Sequence, residues 1–160
     1  MNTALPAEHW SRLYRDSFPR VYRGLVATLF DRELALDALQ DAFLEGLRRP
    51  PRHDANLEGW LYRVALRKAG RESRRRSLFR PLSRTGSDDD RTIETVLARV
   101  EVRRLLVLLS ERQRAIVIAH FYLGMRHQEV ADLLGIRAGT VGATISQALQ
   151  RMRKEANGVA

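Results

Sequence analysis

Between residues 63 and 84 the chain places nine cations, Arg63, Arg67, Lys68, Arg71, Arg74, Arg75, Arg76, Arg80 and Arg84, against one carboxylate, Glu72. Such a density of guanidinium groups is suited to a polyanion, because each cation that meets a phosphate releases a condensed counterion. Trp60 and Tyr62 stand just ahead of the run. Aromatic rings beside cations form the combination that holds unstacked bases while gripping their backbone. Residues 1–62 carry 8 basic and 9 acidic side chains and residues 85–160 carry 11 and 9, so residues 63–84 hold nearly all of the net charge of +9. The plain alternative for a basic run is a solvated helix face entering a linker. Other chemistry is thinly represented. With no cysteine there is no disulfide framework, thiol nucleophile or Cys-ligated zinc. His9, His53, His120 and His127 are scattered along the sequence, and neither a phosphate-binding glycine loop nor a nucleophile constellation accompanies them. The chain therefore reads as a non-enzyme, with no metal, cofactor or small-molecule substrate expected.

These residues need elements to position them. A length of 160 residues with 44% hydrophobic and 29% charged side chains suits one ordinary domain or two very small ones, folded rather than disordered. No apolar run approaches the roughly 20 residues of a membrane span, and Met1 to Trp10 lacks a basic segment leading into an apolar one. Membrane insertion and secretion are disfavoured, and a cytoplasmic location is expected. Apolar residues recur at helical spacing in three stretches: Phe18, Val21, Tyr22, Leu25 and Leu29; Leu36, Leu39, Phe43 and Leu47; and Leu57, Trp60, Leu61, Val64 and Ala65. Pro50 and Pro51 break the second from the third, with Asp54 and Asn56 offering caps. Residues 78–91 lack apolar periodicity and contain Pro81, Gly86 and the Asp88 to Asp90 triplet, so they read as a flexible linker. Beyond it, Ile93, Val96, Leu97 and Val100 suggest a helix continuing toward Leu109, and Ser110 with Glu111 and Gln113 suits the start of the next. The expected fold is all-α, with two small helical domains at 9–77 and 92–155 joined by that linker.

The second domain carries a helix-turn-helix pattern. Ala131 supplies a small residue at the helix contact, Gly135 a left-handed turn, and Val141 an apolar residue on the second helix. The two helices are expected at about His127 to Leu134 and Thr140 to Arg153, with Thr140 as a cap, Gly139 relieving crowding before it, and Val141, Ile145, Leu149 and Met152 as the buried stripe. An ordinary helical hairpin ending in glycine is the plain alternative. If the second helix enters a major groove, Gly142, Ala143, Ser146, Gln147 and Gln150 face outward, with Arg137 and Thr140 near its N-terminus and Arg151 farther along. Arg137 and Thr140 suit phosphates and Gln147 an adenine edge. This face is poor in cations, so the lobe alone should bind weakly.

Read together, the two lobes resemble a bacterial sigma factor of the extracytoplasmic-function class, within the sigma-70 family. The resemblance spans about residues 10–155. Asp37-Ala-Leu-Gln-Asp-Ala-Phe43 looks like the family's acidic helix that docks on RNA polymerase, and Gly59-Trp-Leu-Tyr-Arg-Val-Ala65 like the start of its promoter-melting helix. Leu109-Ser-Glu-Arg-Gln-Arg-Ala115, then Gln128 to Ile136 and Gly139-Thr-Val141, resemble the domain that reads the minus-thirty-five element. The resemblance implies a region-2-like domain at 9–77 and a region-4-like domain at 92–155. It implies core RNA polymerase and promoter DNA as partners, and an anti-sigma factor as the usual holder of this class.

On that basis Asp37, Gln40, Asp41 and Leu44, at three- or four-residue spacing, are expected to meet polymerase. Trp60, Arg63, Arg67, Lys68, Arg71, Arg74 and Arg75 are expected at the minus-ten element. Arg137, Thr140, Ser146, Gln147 and Arg151 are expected at the minus-thirty-five element. The stretch Arg52 to Gly59 corresponds to the family's pocket for an extruded base. Departures fall on DNA-reading positions: Arg67 and Arg71 replace a usual Asn and acidic residue, and Gly142-Ala143-Thr144 replaces a usual Lys-Ser-Arg. The expected function is a sigma factor directing promoter recognition, melting and initiation; the alternative is a sigma-like regulator that binds DNA or polymerase without initiating.

Overall fold

A computed structural model of the chain describes residues 6–51, 56–79 and 100–158. The described residues are helical or in turns, as the periodicity predicts. Three helices form the first lobe: α1 (Ala7–Leu29), α2 (Arg32–Arg48) and α3 (Leu57–Phe79). The second lobe holds α4 (Val100–Val107), α5 (Glu111–Val117), a π-helical turn (Ile118–Tyr122), α6 (His127–Leu134) and α7 (Ala138–Gly158). The predicted linker 78–91, apart from the end of α3, lies outside the described residues, as do Arg80, Arg84 and the first part of the helix expected from Ile93, whose continuation is α4.

In the first lobe, small residues decide how α2 sits. Its buried face is Leu34, Ala35, Ala38, Leu39, Ala42, Phe43 and Gly46. The expected stripe of Leu36, Leu39, Phe43 and Leu47 is thus half right, since Leu36 and Leu47 are exposed. Alanine and glycine let α1 and α3 approach α2 closely, and the larger leucines then have room only on the outer side. Gly46 shows this most sharply: a Cβ there would lie 2.4 Å from a ring carbon of Trp10. Trp10 is buried, and its ring centroid lies 6.4 Å from that of Phe43 and 6.5 Å from that of Trp60, so it ties the start of α1 to both neighbours. Asp31 caps α2 by accepting from the Leu34 N–H, and Asn56 caps α3 by accepting from the Gly59 N–H.

In the second lobe Ser110 and Gln113 form the reciprocal capping box expected of them. Gly135 ends α6 in the left-handed conformation, φ 65°, and Ala131 and Val141 are both fully buried in the core, as the helix-turn-helix pattern requires. Two details differ. The second helix begins at Ala138, so Thr140 lies within its first turn rather than capping it. Nothing lies near a side chain placed on Gly139, so no crowding needs relief there.

The lobes pack against each other. The buried core runs without a break from Val21 and Leu25 on α1, through Leu61 and Val64 on α3, to Ile116 and Ile118. Tyr62, expected on the base-stacking surface, is fully buried at this junction. Thr28 spends its one hydroxyl proton on the Gly24 carbonyl at 2.8 Å, so the Tyr62 hydroxyl donates to Thr28 Oγ1 at 2.6 Å. The Ala115 carbonyl, 3.4 Å from the same phenol, is at most a weak second acceptor. Tyr62 is therefore a core residue here, because α3 turns it inward while Trp60 stays half-buried near the rim.

Candidate nucleic-acid interface

Helix α3 carries the basic segment as far as the described side chains run. Trp60, Arg63, Arg67, Arg71 and Arg74 recur at three- or four-residue steps and so share one side of the helix. Arg63, Arg67, Arg71, Arg74 and Arg75 are exposed, Lys68 and Trp60 half-buried. Over 23 residues α3 extends about 35 Å, enough for the stripe to follow several nucleotides.

The stripe is not uniformly available. Glu45, on α2, accepts from Lys68 Nζ at 3.0 Å and lies 3.9 Å from Arg67 Nη2. The Lys68 ammonium, with Arg67 and Arg49 adding charge, holds the Glu45 carboxyl below its ordinary 4.5 despite partial burial. Arg67 and Lys68, two of the expected minus-ten contacts, are thus pre-paired within the lobe. Sequence reasoning missed Glu45 because its partners sit on another helix, more than twenty positions away. Nothing in the spacing of α2 marks it.

Asp37, Gln40, Asp41 and Leu44 all emerge on the exposed side of α2. This side has two borders. Toward α3, Asp37, Gln40 and Asp41 line a groove with Lys68, Arg71 and Arg75. Toward α1, Gln40 and Leu44 border an apolar groove with Trp10, Tyr14, Phe43 and Leu47. Tyr14 and Leu47 are 42% and 56% exposed, and neither was expected in the surface that meets polymerase. Their outward display follows from the small residues that occupy the buried side of α2. The structure thereby sets the expected polymerase and DNA surfaces side by side.

On the outward side of α7 Thr140, Ala143, Ser146, Gln147 and Gln150 are exposed, with Arg137, just ahead of the helix, the one cation beside them. Gly142 is half-buried, and a Cβ there would meet the His127 ring at 3.7 Å. Arg151 is exposed but donates to the Leu108 carbonyl at 3.3 Å, toward the α4–α5 turn. The histidines are less scattered than the sequence order suggests. His120 and His127 have ring centroids 4.8 Å apart, and His120 Nδ1 is 2.8 Å from the Met125 carbonyl. Among the described residues no group of three or more metal-ligating side chains gathers. His53 and the first half of the expected base pocket, residues 52–55, lie outside the described residues.

Comparison with known families agrees with this two-lobed arrangement. Residues 13–79 match Sigma-70 region 2, and residues 99–152 match Sigma-70, region 4. The chain belongs to the sigma-70 family of RNA polymerase sigma factors, in its extracytoplasmic-function class, and directs the initiation of transcription with core polymerase at promoter DNA. It is 32% identical over 151 residues to the ECF RNA polymerase sigma factor SigM of Mycobacterium tuberculosis, covering 91% of this chain and 76% of that one. With the RNA polymerase sigma-E factor of Streptomyces coelicolor the identity is 30% over 161 residues, covering 97% and 88%. In fold it is similar to the sigma factor RpoE of Bartonella quintana, solved with the anti-sigma factor NepR. That match has a TM-score of 0.73 at 17% identity, covering 92% of this chain and 96% of that one. CnrH, solved with the cytosolic domain of CnrY, matches with a TM-score of 0.68 at 16% identity, covering 97% and 92%. Among the described residues no helix is long and apolar enough to cross a membrane.

Proposed function

We propose a division of labour within this sigma factor. The exposed side of α2, through Asp37, Gln40, Asp41 and Leu44, meets core polymerase. The stripe of α3, through Trp60, Arg63, Arg67, Lys68, Arg71, Arg74 and Arg75, holds the melted minus-ten element. Helix α7, through Arg137, Thr140, Ser146, Gln147 and Arg151, touches the minus-thirty-five element. The observation that carries this reading is the shared α2–α3 groove, where three carboxylates, Asp37, Asp41 and Glu72, and three cations lie together. On this reading, DNA engaged by α3 lies beside polymerase engaged by α2. The chain acts in the cytoplasm, performs no covalent chemistry of its own, and is held in reserve by an anti-sigma partner.

Run-off transcription with purified core polymerase and a promoter library tests the reading. A specific transcript supports it; binding to core polymerase without any transcript favours the regulator that does not initiate, to which the sparse α7 face lends support. Replacing Arg63, Arg71 and Arg75 with Gln removes three exposed cations and should lower the salt slope of promoter binding by about 2, at about 0.7 per single-strand phosphate contact. An unchanged slope would show the stripe to be only a solvated surface.

A further inference from the structure

The exposed side of α2 changes sign along its length. Asp37 and Asp41 lie within the helix, whereas Arg48 is its last residue and Arg49 its C-cap. Arg48 follows Asp37 by eleven positions, about 16 Å along the axis. Cations at a helix C-terminus offset its dipole, which alone would account for one exposed arginine there. Here there are two. Both are exposed, and among the described residues neither lies within ion-pair distance of a carboxylate.

Arg48 and Arg49 line an open cleft of about 580 Å³ between the end of α2 and the middle of α3. Arg67, Lys68 and Arg71 line it from α3, so five cations gather against two carboxylates, Asp41 and Glu45. Glu45 lies 3.0 Å from Lys68 Nζ and 3.9 Å from Arg67 Nη2, and Arg49 adds to the positive field that keeps its carboxyl ionised. The cleft thus already holds one anion, with two guanidinium groups to spare. Guanidinium forks match phosphate oxygens bidentately and stay charged at any pH near neutral. No aromatic ring lines the cleft, so it offers no stacking platform for a base and suits the backbone of a strand. Arg67, Lys68 and Arg71 belong at once to the cleft and to the basic stripe of α3, so the two surfaces are continuous. Packed helices lie about 8–10 Å apart, so Arg48 and Arg49 set a second row of cations beside the first.

We propose that Arg48 and Arg49 complete a phosphate site with Arg67 and Lys68, which takes the sugar-phosphate backbone of the melted strand where it crosses from α3 to the end of α2. This rests on the reading of α3 as the helix that holds the minus-ten element. Helix α2 then serves two partners, polymerase through its carboxylates and DNA through its terminal arginines. Glu45 holds the place of the phosphate in the free protein.

The variant Arg48→Gln with Arg49→Gln removes two exposed cations and alters no buried side chain. Fluorescence anisotropy of a minus-ten single strand, measured across salt with core polymerase present, should give a salt slope lower by about 1.4, at about 0.7 per contact. Between 50 and 200 mM salt the variant's affinity should fall about sevenfold less than the wild type's. Arg48→Lys with Arg49→Lys keeps the charge and should retain the wild-type slope; a slope as low as that of the Gln variant would make the effect structural and overturn the site. Affinity for core polymerase alone should be the same in all three proteins, and its loss in the Gln variant overturns the proposal by assigning the arginines to that interface. An unchanged slope in the Gln variant overturns the proposal alone if replacing Arg63, Arg71 and Arg75 does lower it. If neither set moves the slope, the reading of α3 fails and the proposal with it.

Discussion

Replacing Glu45 with Gln should strengthen the hold on DNA, the reverse of what loss of a salt bridge usually brings. Glu45 is shared by Lys68 and Arg67, at 3.0 and 3.9 Å, and a neutral amide would release both cations toward the exposed side of α3. Each added single-strand phosphate contact steepens the salt slope by about 0.7, so two contacts steepen it by up to about 1.4. Between 50 and 200 mM salt that makes the variant's affinity fall about sevenfold more than the wild type's, from a tighter starting value. The cost to folding should be small, at most about 1 kcal/mol, because the pair is partly solvated. The sign with pH follows from the lowered pKa of Glu45. Its folded value lies below 4.5, so its contribution to stability is present above that pH and is lost as pH falls through the folded value. At neutral pH the clamp is therefore fully charged. Fluorescence anisotropy of a minus-ten single strand, measured across salt in the presence of core polymerase, reads the effect. Unchanged or weaker binding by a variant of wild-type thermal stability would refute the view of Glu45 as a restraint on DNA contact.

Changing Asp37 and Asp41 together to Ala should weaken core polymerase binding while leaving the melting temperature unchanged, since both are exposed; pull-down with core enzyme and a thermal melt check the two halves. Gly46→Ala places a methyl 2.4 Å from Trp10 and should destabilise the first lobe by about 1–3 kcal/mol, seen in urea unfolding. Tyr62→Phe should cost about 1 kcal/mol at neutral pH through the lost bond to Thr28. Burial pushes the Tyr62 phenol above its ordinary value of 10, so the wild type loses stability as pH rises beyond 10, whereas the Phe variant should show a flatter loss between pH 9 and 11.

The fold was legible wherever local pattern and burial agree. Gly135, Ala131 and Val141 identify the helix-turn-helix because that motif imposes a left-handed turn and a close helix contact at fixed offsets. Ser110 and Gln113 identify a helix start for an equally local reason. The orientation of α2 was not legible from its leucines, because Ala35, Ala38, Ala42 and Gly46 are buried by virtue of being small. A periodicity count weighted toward large residues rotates such a helix the wrong way. The first eleven residues of α1, which the periodicity from Phe18 onward omitted, are fixed by Trp10 entering the space above Gly46. In the candidate site, the exposed acids of α2 and most of the arginine stripe were legible as spacing on single helices. Glu45 against Lys68, Arg114 against Thr28, and Tyr62 against Thr28 join different elements, so no spacing in the sequence encodes them.

The sparse outward side of α7 bears on whether this chain can read an upstream element at all. With Arg137 the one cation beside Thr140, Ala143, Ser146, Gln147 and Gln150, and Arg151, Arg153 and Lys154 farther along, the α7 face is assigned to weak, non-specific binding, for which Kd is typically about 10⁻⁴–10⁻⁶ M. The second lobe does not search alone. Once α2 and α3 are engaged, it is tethered by the chain between Phe79 and Val100, and a short tether gives an effective concentration on the order of mM. A contact of 10⁻⁴ M would then be about nine-tenths occupied. Weak reading by α7 is therefore compatible with initiation, provided that the first lobe binds first. On the proposed reading, Gly142, Ala143 and Thr144 would lower the demand for an ideal upstream element without removing the lobe from the promoter. Discrimination between promoters would then shift to α3, where the proposed grip of the arginine stripe on the melted strand is set by its restraint by Glu45.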